Sequence, residues 1–359
     1  MMTAHAAAEE QRRAAVVLAQ PDAMSYPHQS VHHQQVGSGA RSYWLFEPAD
    51  PSPSLAPVVV FCHGWLATNP GVYGAWIEHL ARQGRIVIFP RYQDDWTTPP
   101  ARFLPHAVDA VRDALDVLET APGHVRPRRE QMALIGHSAG GNLAAELAAV
   151  AGGLDFPPPR AVVAVLPGEV KPRRGPSLAG IPAATLLVVV AAADDWIVGD
   201  LRARQIYLGA TAVAADRKEF VLFRTDRHGS PPLVADHVAP TAALPEFDSG
   251  EGPAREFQMA QAELNALDVL GFWRLADLTL GAAFAGRTLD ETLGHGSLRG
   301  GLGRWSDGRA VVPPLVGDEL SSFPRVFPAN GIRLVPWQPR SPAAPDRAAL
   351  RTPSDDIRR

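Results

Sequence analysis

The sequence predicts an α/β fold built around a doubly wound, mostly parallel sheet. Short runs rich in β-branched residues, as at 57–62 and 185–191, have the continuous apolar pattern of strands that are buried on both faces. Between such runs, apolar residues recur every three or four positions, as in helices with one buried face. Strands that alternate with helices in this way form parallel βαβ units, whose ligands bind beyond the carboxyl ends of the strands.

The elements follow one another regularly from residue 42 onward. Alternating apolar residues at 42–46 predict an edge strand, and the apolar spacing of Tyr73, Trp76 and Leu80 predicts a helix after the strand at 57–62. The helix after Gly140 ends near residue 152. The other predicted strands lie at 85–90, 132–135, 161–166, 185–191 and 219–224, and the other predicted helices at 105–119 and 200–208.

The ends of the chain have a different character. Residues 1–36 are polar and predict a flexible N-terminal arm, in which His28, His32 and His33 lack a second set of metal ligands at a recognisable spacing. One α/β domain is predicted over 37–290, including a helical extension after 254 that Gly271 could break. The Pro-, Gly- and Arg-rich segment 291–359 is predicted to be largely irregular, with a disordered tail at 338–359.

Composition excludes several classes of protein. The chain has 359 residues, of which 46% are hydrophobic, and its net charge of -4 comes without a long basic block, which argues against nucleic acid as a partner. The single cysteine, Cys62, excludes an intrachain disulfide and lies in an apolar run, as a buried thiol would. No apolar stretch approaches the roughly 18 residues that span a bilayer, and no convincing signal peptide is present, so we expect a cytoplasmic protein.

The segment 132–141 contains the clearest chemical motif. Apolar Met132, Leu134 and Ile135 lead into Gly136-x-Ser138-x-Gly140, and a helical pattern follows. A serine on such a strand-to-helix turn is held in a strained conformation with its hydroxyl exposed, and the flanking glycines relieve crowding. We call residues 136–140 the elbow, and Ser138 is the candidate nucleophile.

A serine nucleophile needs a base, an acid that orients the base, and donors for the oxyanion. In this architecture the acid and the base follow the nucleophile in that order. Asp194 and Asp195 both follow the strand at 185–191. His228 follows the last predicted strand directly and is the preferred base, with His237 as the alternative.

The remaining candidates line the predicted site. The backbone N–H groups of Ala139 and Trp65 are the predicted oxyanion donors, because one follows the nucleophile and the other follows the strand at 57–62. His63 and His137 are interpreted as structural. Three aromatic residues near strand ends are candidate walls of a substrate pocket, namely Tyr92, Trp96 and Trp196.

Over about 57–230 the chain resembles the α/β-hydrolase superfamily, through His63-Gly64-Trp65, Gly136-His137-Ser138-Ala139-Gly140-Gly141, Asp195 and His228. It looks like the serine esterase and lipase members, near the cutinase-like, chlorophyllase-like and dienelactone-hydrolase-like branches. The resemblance favours Asp195 over Asp194, because an acid followed by two residues and Val198 is similar to the acid loop of that fold.

The resemblance implies a serine hydrolase that cleaves carboxylic esters through an acyl-enzyme, without a metal or an organic cofactor. Its expected substrate is a small-molecule ester. A peptidase or an acyltransferase with the same triad is the alternative within this chemistry, since the first half-reaction is shared. A non-catalytic binding protein with the same fold is the alternative from another class.

Overall fold

In the computed structural model of this protein, nine strands form one sheet in the order β11-β9-β8-β7-β6-β4-β5-β3-β2. The structure describes residues 16–17, 25–154, 157–170, 175–293, 298, 301–317 and 320–327. The strands of this sheet are β2 (Ser30–Val36), β3 (Tyr43–Ala49), β4 (Leu55–Cys62), β5 (Ile86–Pro90), β6 (Arg126–His137), β7 (Ala161–Val165), β8 (Leu186–Ala192), β9 (Lys218–Phe223) and β11 (Leu315–Gly317). Two short strands, β1 (Val16–Val17) and β10 (Arg304–Trp305), pair separately.

The centre of the sheet is parallel and its edges are antiparallel. All neighbours from β5 to β9 along the sheet run parallel. Strand β3 pairs antiparallel with β5, β2 with β3, and β11 with β9. The predicted doubly wound, mostly parallel sheet is therefore confirmed. Because the central strands share one direction, their carboxyl ends meet at one edge, where Cys62, His137 and Ala192 end β4, β6 and β8.

Helices cover both faces of the sheet, because alternate side chains of each buried strand point to opposite sides. Val59 and Phe61 belong to one core, and Val58 and Val60 to the other. Helices α1 and α6 pack on the first face, and α2, α3 and α4 on the second. The helix bounds are α1 (Gly74–Arg82), α2 (Phe103–Thr120), α3 (Ala139–Val150), α4 (Leu201–Gly209), α5 (Arg255–Gln261), α6 (Arg274–Phe284) and α7 (Asp290–Leu293).

The predicted helical extension after 254 consists of separate pieces. Helix α5 ends at Gln261, and a π-helical turn, Asp268–Trp273, leads into α6. The Cβ that any other residue would have at Gly271 would lie 2.8 Å from a Phe223 ring atom, so this glycine allows the turn to approach β9 closely. The extension therefore forms part of the layer over the sheet.

Two predictions at the edges are wrong. Residues 30–36, assigned to a flexible arm, form β2, where His33 stacks on Phe46 of β3 at a centroid distance of 5.8 Å. Strand β3 is consequently an inner strand and not the predicted edge. Within 291–359, the short strand β11 pairs with β9, and the largely irregular character of this segment stays a prediction. The predicted disordered tail at 338–359 lies outside the described residues, as does most of 1–24.

Within the described ranges, no helix is both long and apolar enough to cross a membrane.

Candidate active site

Ser138 lies between β6 and α3 in a backbone conformation that is rare for a residue with a side chain. Its φ of 56° and ψ of -122° place it in the positive-φ region, where non-glycine residues are strained. Its N–H donates to the Val165 carbonyl of the neighbouring strand at 2.9 Å, and its carbonyl accepts from the N–H of Gly168 at 3.0 Å. These bonds fix the turn, so the predicted elbow geometry is present.

Two glycines make this turn sterically possible. A Cβ at Gly136 would lie 2.1 Å from the Gly140 carbonyl oxygen, and a Cβ at Gly140 would lie 2.1 Å from the Cys62 carbonyl oxygen. Both contacts are with backbone, which cannot move aside. The first turn of α3 can therefore lie directly against the ends of β4 and β6.

Asp195 follows β8 and is the acid that faces the elbow. Its carboxylate Oδ1 accepts the N–H groups of Ile197 and Val198, each at 3.0 Å, which fixes the side chain. Asp195 is buried, with 1% of its surface exposed. Asp194 points elsewhere, because its carboxylate accepts from Thr225 Oγ1 at 2.8 Å and from Arg227 Nη2 at 2.9 Å. The geometry thus agrees with Asp195 over Asp194.

His237 connects this acid to the serine. Its Nδ1 lies 2.9 Å from Asp195 Oδ2, and its Nε2 lies 2.9 Å from Ser138 Oγ. The carboxylate can only accept, so the Nδ1–H donates to Asp195 and Nε2 accepts the Ser138 hydroxyl proton. The structure therefore brings Ser138, His237 and Asp195 into one directed hydrogen-bonded chain.

The prediction of His228 as the preferred base is corrected by this arrangement. After β9, Asp226 and Leu233 form an antiparallel bridge through N–H···O bonds of 2.8 and 2.9 Å, which closes a hairpin over 226–233. His228 lies in this hairpin, where its Nε2 is 2.7 Å from Asp307 and its Nδ1 accepts from Arg309 at 3.1 Å. The chain reaches Ser138 only after the hairpin, at His237.

The loop 64–67 after β4, which we call the oxyanion loop, has one N–H without an intramolecular acceptor among the described residues. Gly64 donates to Tyr73 Oη at 2.9 Å, and Leu66 donates to Gln93 Oε1 at 2.7 Å. Ala67 donates to the Gly64 carbonyl at 3.0 Å. The N–H of Trp65 remains. The first N–H groups of a helix also lack acceptors within the helix, and Ala139 is the first residue of α3.

This loop lies directly over the elbow. A Cβ at Gly64 would come within 3.5 Å of Ser138 Cβ, so the glycine allows the two backbones to approach. The loop is also held from helix α5, since Gln258 Nε2 donates to the Trp65 carbonyl at 3.2 Å, and just beyond the loop Asn69 Nδ2 donates to Asp248 Oδ1 at 2.6 Å. Arg255 pairs with the same carboxylate and holds the pKa of Asp248 well below its usual range.

His63 is buried beneath this loop, in agreement with a structural interpretation. Its Nδ1 lies 2.6 Å from the Gly64 carbonyl oxygen and its Nε2 lies 2.7 Å from that of Arg91. Burial lowers the pKa of His63 to about 4, so the ring is neutral at pH 7 and has one N–H for these two acceptors. Tyr92 stacks on His63 at 4.1 Å and is fully buried. Its predicted place in the wall of a substrate pocket is therefore wrong.

Two other predicted wall residues are at the surface. Trp96 is 61% exposed and packs edge-on against Trp65 with 5.1 Å between ring centroids, and Trp196, beside Asp195, is 65% exposed. Sequence reasoning missed a small depression beside the elbow, which is partly open to solvent. Its walls come from three segments of the chain, through Pro100, Phe103, Ala139, Asn142, Leu143, Gly168, Glu169 and Val170.

The other reactive groups considered from the sequence do not form a second centre. Cys62 is fully buried in the core, and burial raises the pKa of its thiol. Within the part of the chain that the structure describes, no three His, Cys, Asp or Glu side chains are grouped so that they could hold a metal ion.

The fold and the elbow together define a class of protein. A family model described as "alpha/beta hydrolase fold" matches residues 59–218, from β4 to the start of β9. No curated protein matches the chain. This match supports the predicted α/β-hydrolase superfamily, and the predicted fold class is confirmed. The matched region includes Ser138 and Asp195 and ends before His237. The family supports a hydrolase that acts on small molecules.

Proposed function

We propose that this protein is a serine hydrolase that cleaves carboxylic esters through an acyl-enzyme, with Ser138 as nucleophile, His237 as base and Asp195 as orienting acid. One observation supports it best: the Asp195–His237–Ser138 chain, with both bonds 2.9 Å long, ends on a strained strand-to-helix serine. Nucleophile, base and orienting acid within hydrogen-bond reach are the arrangement that serine catalysis needs.

In the acylation step, Ser138 Oγ attacks the ester carbonyl carbon while His237 Nε2 takes the hydroxyl proton. The carbonyl π bond breaks as the new C–O bond forms, and the oxygen becomes an oxyanion. Asp195 stabilises the imidazolium that forms on His237, through the bond to Nδ1. When the tetrahedral intermediate collapses, the leaving alkoxide takes the proton from Nε2 and departs as the alcohol.

In the deacylation step, water attacks the acyl carbon while His237 Nε2 takes one of its protons. Collapse of the second intermediate releases the carboxylic acid and returns the proton to Ser138. The N–H groups of Trp65 and Ala139 would hold the oxyanion in both steps. Removing a donor of this type costs about 2.7–4 kcal/mol of transition-state stabilisation in serine hydrolases, so the fixed position of the oxyanion loop matters for rate.

The depression beside the elbow suggests the size of the substrate. It is small and partly open to solvent, so it would enclose only a short part of a substrate. Phe103 and Leu143, both buried, supply apolar walls that a short acyl or alcohol group could cover. We therefore expect short-chain esters to be preferred.

Hydrolysis of p-nitrophenyl esters of graded acyl length tests the proposal. We expect turnover of the acetate and butyrate esters, a fall in kcat/KM with longer chains, and loss of activity in Ser138→Ala. The matching p-nitroanilides separate ester from amide cleavage, and an added alcohol acceptor detects acyl transfer. Equal rates for wild type and Ser138→Ala across the esters would overturn the proposal.

A further inference from the structure

Besides the Asp195–His237–Ser138 chain, a second chain of hydrogen bonds leads from the oxyanion loop to the main chain of His237. The Gly64 N–H donates to Tyr73 Oη at 2.9 Å, and Tyr73 Oη lies 2.9 Å from His137 Nδ1. His137 Nε2 lies 2.8 Å from the carbonyl oxygen of His237. Tyr73 and His137 thus link the elements that hold the oxyanion donor, the nucleophile and the base.

Each proton in this second chain has one possible place. The Gly64 amide can only donate, so the Tyr73 oxygen accepts there and its single O–H donates to His137 Nδ1. The His237 carbonyl can only accept, so the remaining proton of a neutral His137 is on Nε2. Burial, and then the neighbouring His237 ring, keep the pKa of His137 well below its usual range, in agreement with the neutral form.

The surroundings leave these side chains little freedom. Tyr73 and His137 are 1% and 4% exposed, and the ring centroids of His137 and His237 are 4.9 Å apart. A Cβ at Gly64 would lie 3.0 Å from Tyr73 Oη and 3.4 Å from His137 Nδ1, so the loop backbone sits directly on this bond. A fully satisfied buried network of this kind holds its members in one arrangement.

We propose that Tyr73 and His137 are positioning residues, which set the oxyanion loop and the main chain of His237 relative to Ser138 through this directed chain of bonds. The inference rests on the proposed function, since it assigns the pair a role in presenting the serine, its base and the Trp65 N–H in one geometry. Neither side chain touches the reacting atoms.

A change in this geometry should lower the catalytic rate more than it weakens substrate binding. A misplacement of about 1 Å in a reacting group can reduce the rate about 100-fold, while interactions with the rest of the substrate persist. Loss of the second chain should therefore lower kcat and leave KM nearly unchanged. A role confined to stability would lower the melting temperature and leave kcat of the folded protein unchanged.

Three substitutions separate the two ends of this chain. Tyr73→Phe removes the bonds to Gly64 and His137. His137→Asn retains an acceptor for Tyr73 and loses the donor to the His237 carbonyl, whereas His137→Gln retains a donor that can reach that carbonyl. Tyr43→Phe is the matched control, because Tyr43 is equally buried and donates to Asp113 at 2.7 Å on another part of the sheet.

The experiment measures kcat and KM on p-nitrophenyl butyrate, melting temperature, and the rate of Ser138 labelling by a fluorophosphonate probe. We expect Tyr73→Phe and His137→Asn to lose about 10- to 100-fold in kcat and in labelling rate, with KM within about threefold of wild type. His137→Gln should regain most of the loss in His137→Asn. Tyr43→Phe should keep the wild-type rates.

Labelling separates the failure of this inference from failure of the proposed function. If wild type is labelled at Ser138 and cleaves no ester, the ester assignment fails and the labelling rates of the variants still test the positioning role. Equal labelling rates in wild type, Tyr73→Phe and His137→Asn would overturn the positioning role, as would a loss in Tyr43→Phe as large as that in Tyr73→Phe. If wild type is not labelled, both proposals fail.

Discussion

Two histidine–aspartate pairs in this molecule have similar hydrogen-bond lengths, but they differ in the partner of the second ring nitrogen and in the exposure of the aspartate. His237 Nδ1 lies 2.9 Å from Asp195, and His228 Nε2 lies 2.7 Å from Asp307. In the first pair the second ring nitrogen, His237 Nε2, faces Ser138, and the aspartate side chain is 0% exposed. In the second pair the other nitrogen accepts from Arg309, and the aspartate is 49% exposed. A histidine next to an aspartate can act as a base toward a hydroxyl only where its second nitrogen faces that hydroxyl.

The largest expected effect separates the two histidines. We expect His237→Ala to lower kcat about 10⁴-fold or more, to the level of Ser138→Ala, because nucleophile and base act as one unit. His228→Ala should stay within about twofold of wild type, since its ring contacts Asp307, Arg309 and Trp305 and lies away from the elbow. Steady-state hydrolysis of p-nitrophenyl butyrate checks both. A reversed order would return His228 to the position of base.

The aspartates give the next largest effect. Asp195→Asn should lower kcat by about 10³- to 10⁴-fold, because an amide at this position no longer stabilises the imidazolium and favours the wrong tautomer of His237. Asp194→Asn and Asp307→Asn are the matched controls, and each should retain activity within about threefold. The comparison fails if Asp194→Asn is the most impaired of the three in the same assay.

The buried histidines near the first pair should make stability depend on pH. The pKa of His63 is lowered to about 4 by burial, so below pH 6.5 the unfolded chain takes up this proton before the folded one does. Stability is therefore retained above pH 6.5 and lost as the pH falls toward 4, by about 3 kcal/mol from this residue.

Chemical denaturation at pH 7 and pH 4.5 measures this loss. His63→Gln should lose less stability than wild type between the two pH values, and Ser138→Ala, which removes no ionisable group, should lose as much as wild type. If His63→Gln loses as much stability as wild type between pH 7 and pH 4.5, the loss does not come from the lowered pKa of His63.

A smaller effect on activity is expected at Asp226, whose carboxylate holds the hairpin at 226–233. Its carboxylate accepts from the His228 N–H, from Trp305 Nε1 and from the Val312 N–H, each at 2.9 Å. Asp226→Asn should lower the free energy of unfolding by about 1–3 kcal/mol, since hydrogen bonds to a charged group are lost or weakened. We expect kcat to fall only a few-fold, because His237 lies beyond the hairpin. Denaturation and ester kinetics on one preparation check both numbers, and a loss as large as that of Asp195→Asn would contradict this order.

The smallest effect is expected at Trp196, beside Asp195. Its side chain is 65% exposed, so Trp196→Ala should change the free energy of unfolding by less than about 0.5 kcal/mol. If the ring forms a wall for an aryl leaving group, KM for p-nitrophenyl esters should rise about two- to fivefold with kcat unchanged. Phe327→Ala, at a side chain that is 67% exposed, is the control and should not change KM. Equal KM values in wild type and both variants would remove Trp196 from the pocket.

The features of this site that depend on residues adjacent in the sequence could be predicted from the sequence. Residues 132–135 of β6 and all of β8 are apolar runs, and each candidate follows its strand within a few residues, so local pattern predicted Ser138 and the Asp194–Asp195 pair, while the resemblance favoured Asp195. Tyr92 also follows a strand, but the chain turns its ring under His63 with a φ of 36°, which no local pattern indicates.

The base could not be located in the same way. His228 comes five residues after β9, where a base is expected, whereas His237 is reached only after the hairpin at 226–233. That hairpin depends on Asp226, which bonds to Trp305 and Val312 about 80 residues further along the chain. The run Gly229-Ser230-Pro231-Pro232 is a local sign of a turn between the two histidines.

The contact between Asn69, Asp248 and Arg255 has a consequence for how the protein would lose activity on heating. It ties the segment that follows the oxyanion loop to residues 248–255, and the Leu244 N–H adds a bond to the Gly71 carbonyl at 3.0 Å. Segments held by a few contacts at a surface open at lower free energies than central strands. Inactivation should therefore begin with detachment of residues 248–261, in which helix α5 buries no residue, at temperatures where the parallel sheet and α6 are still intact.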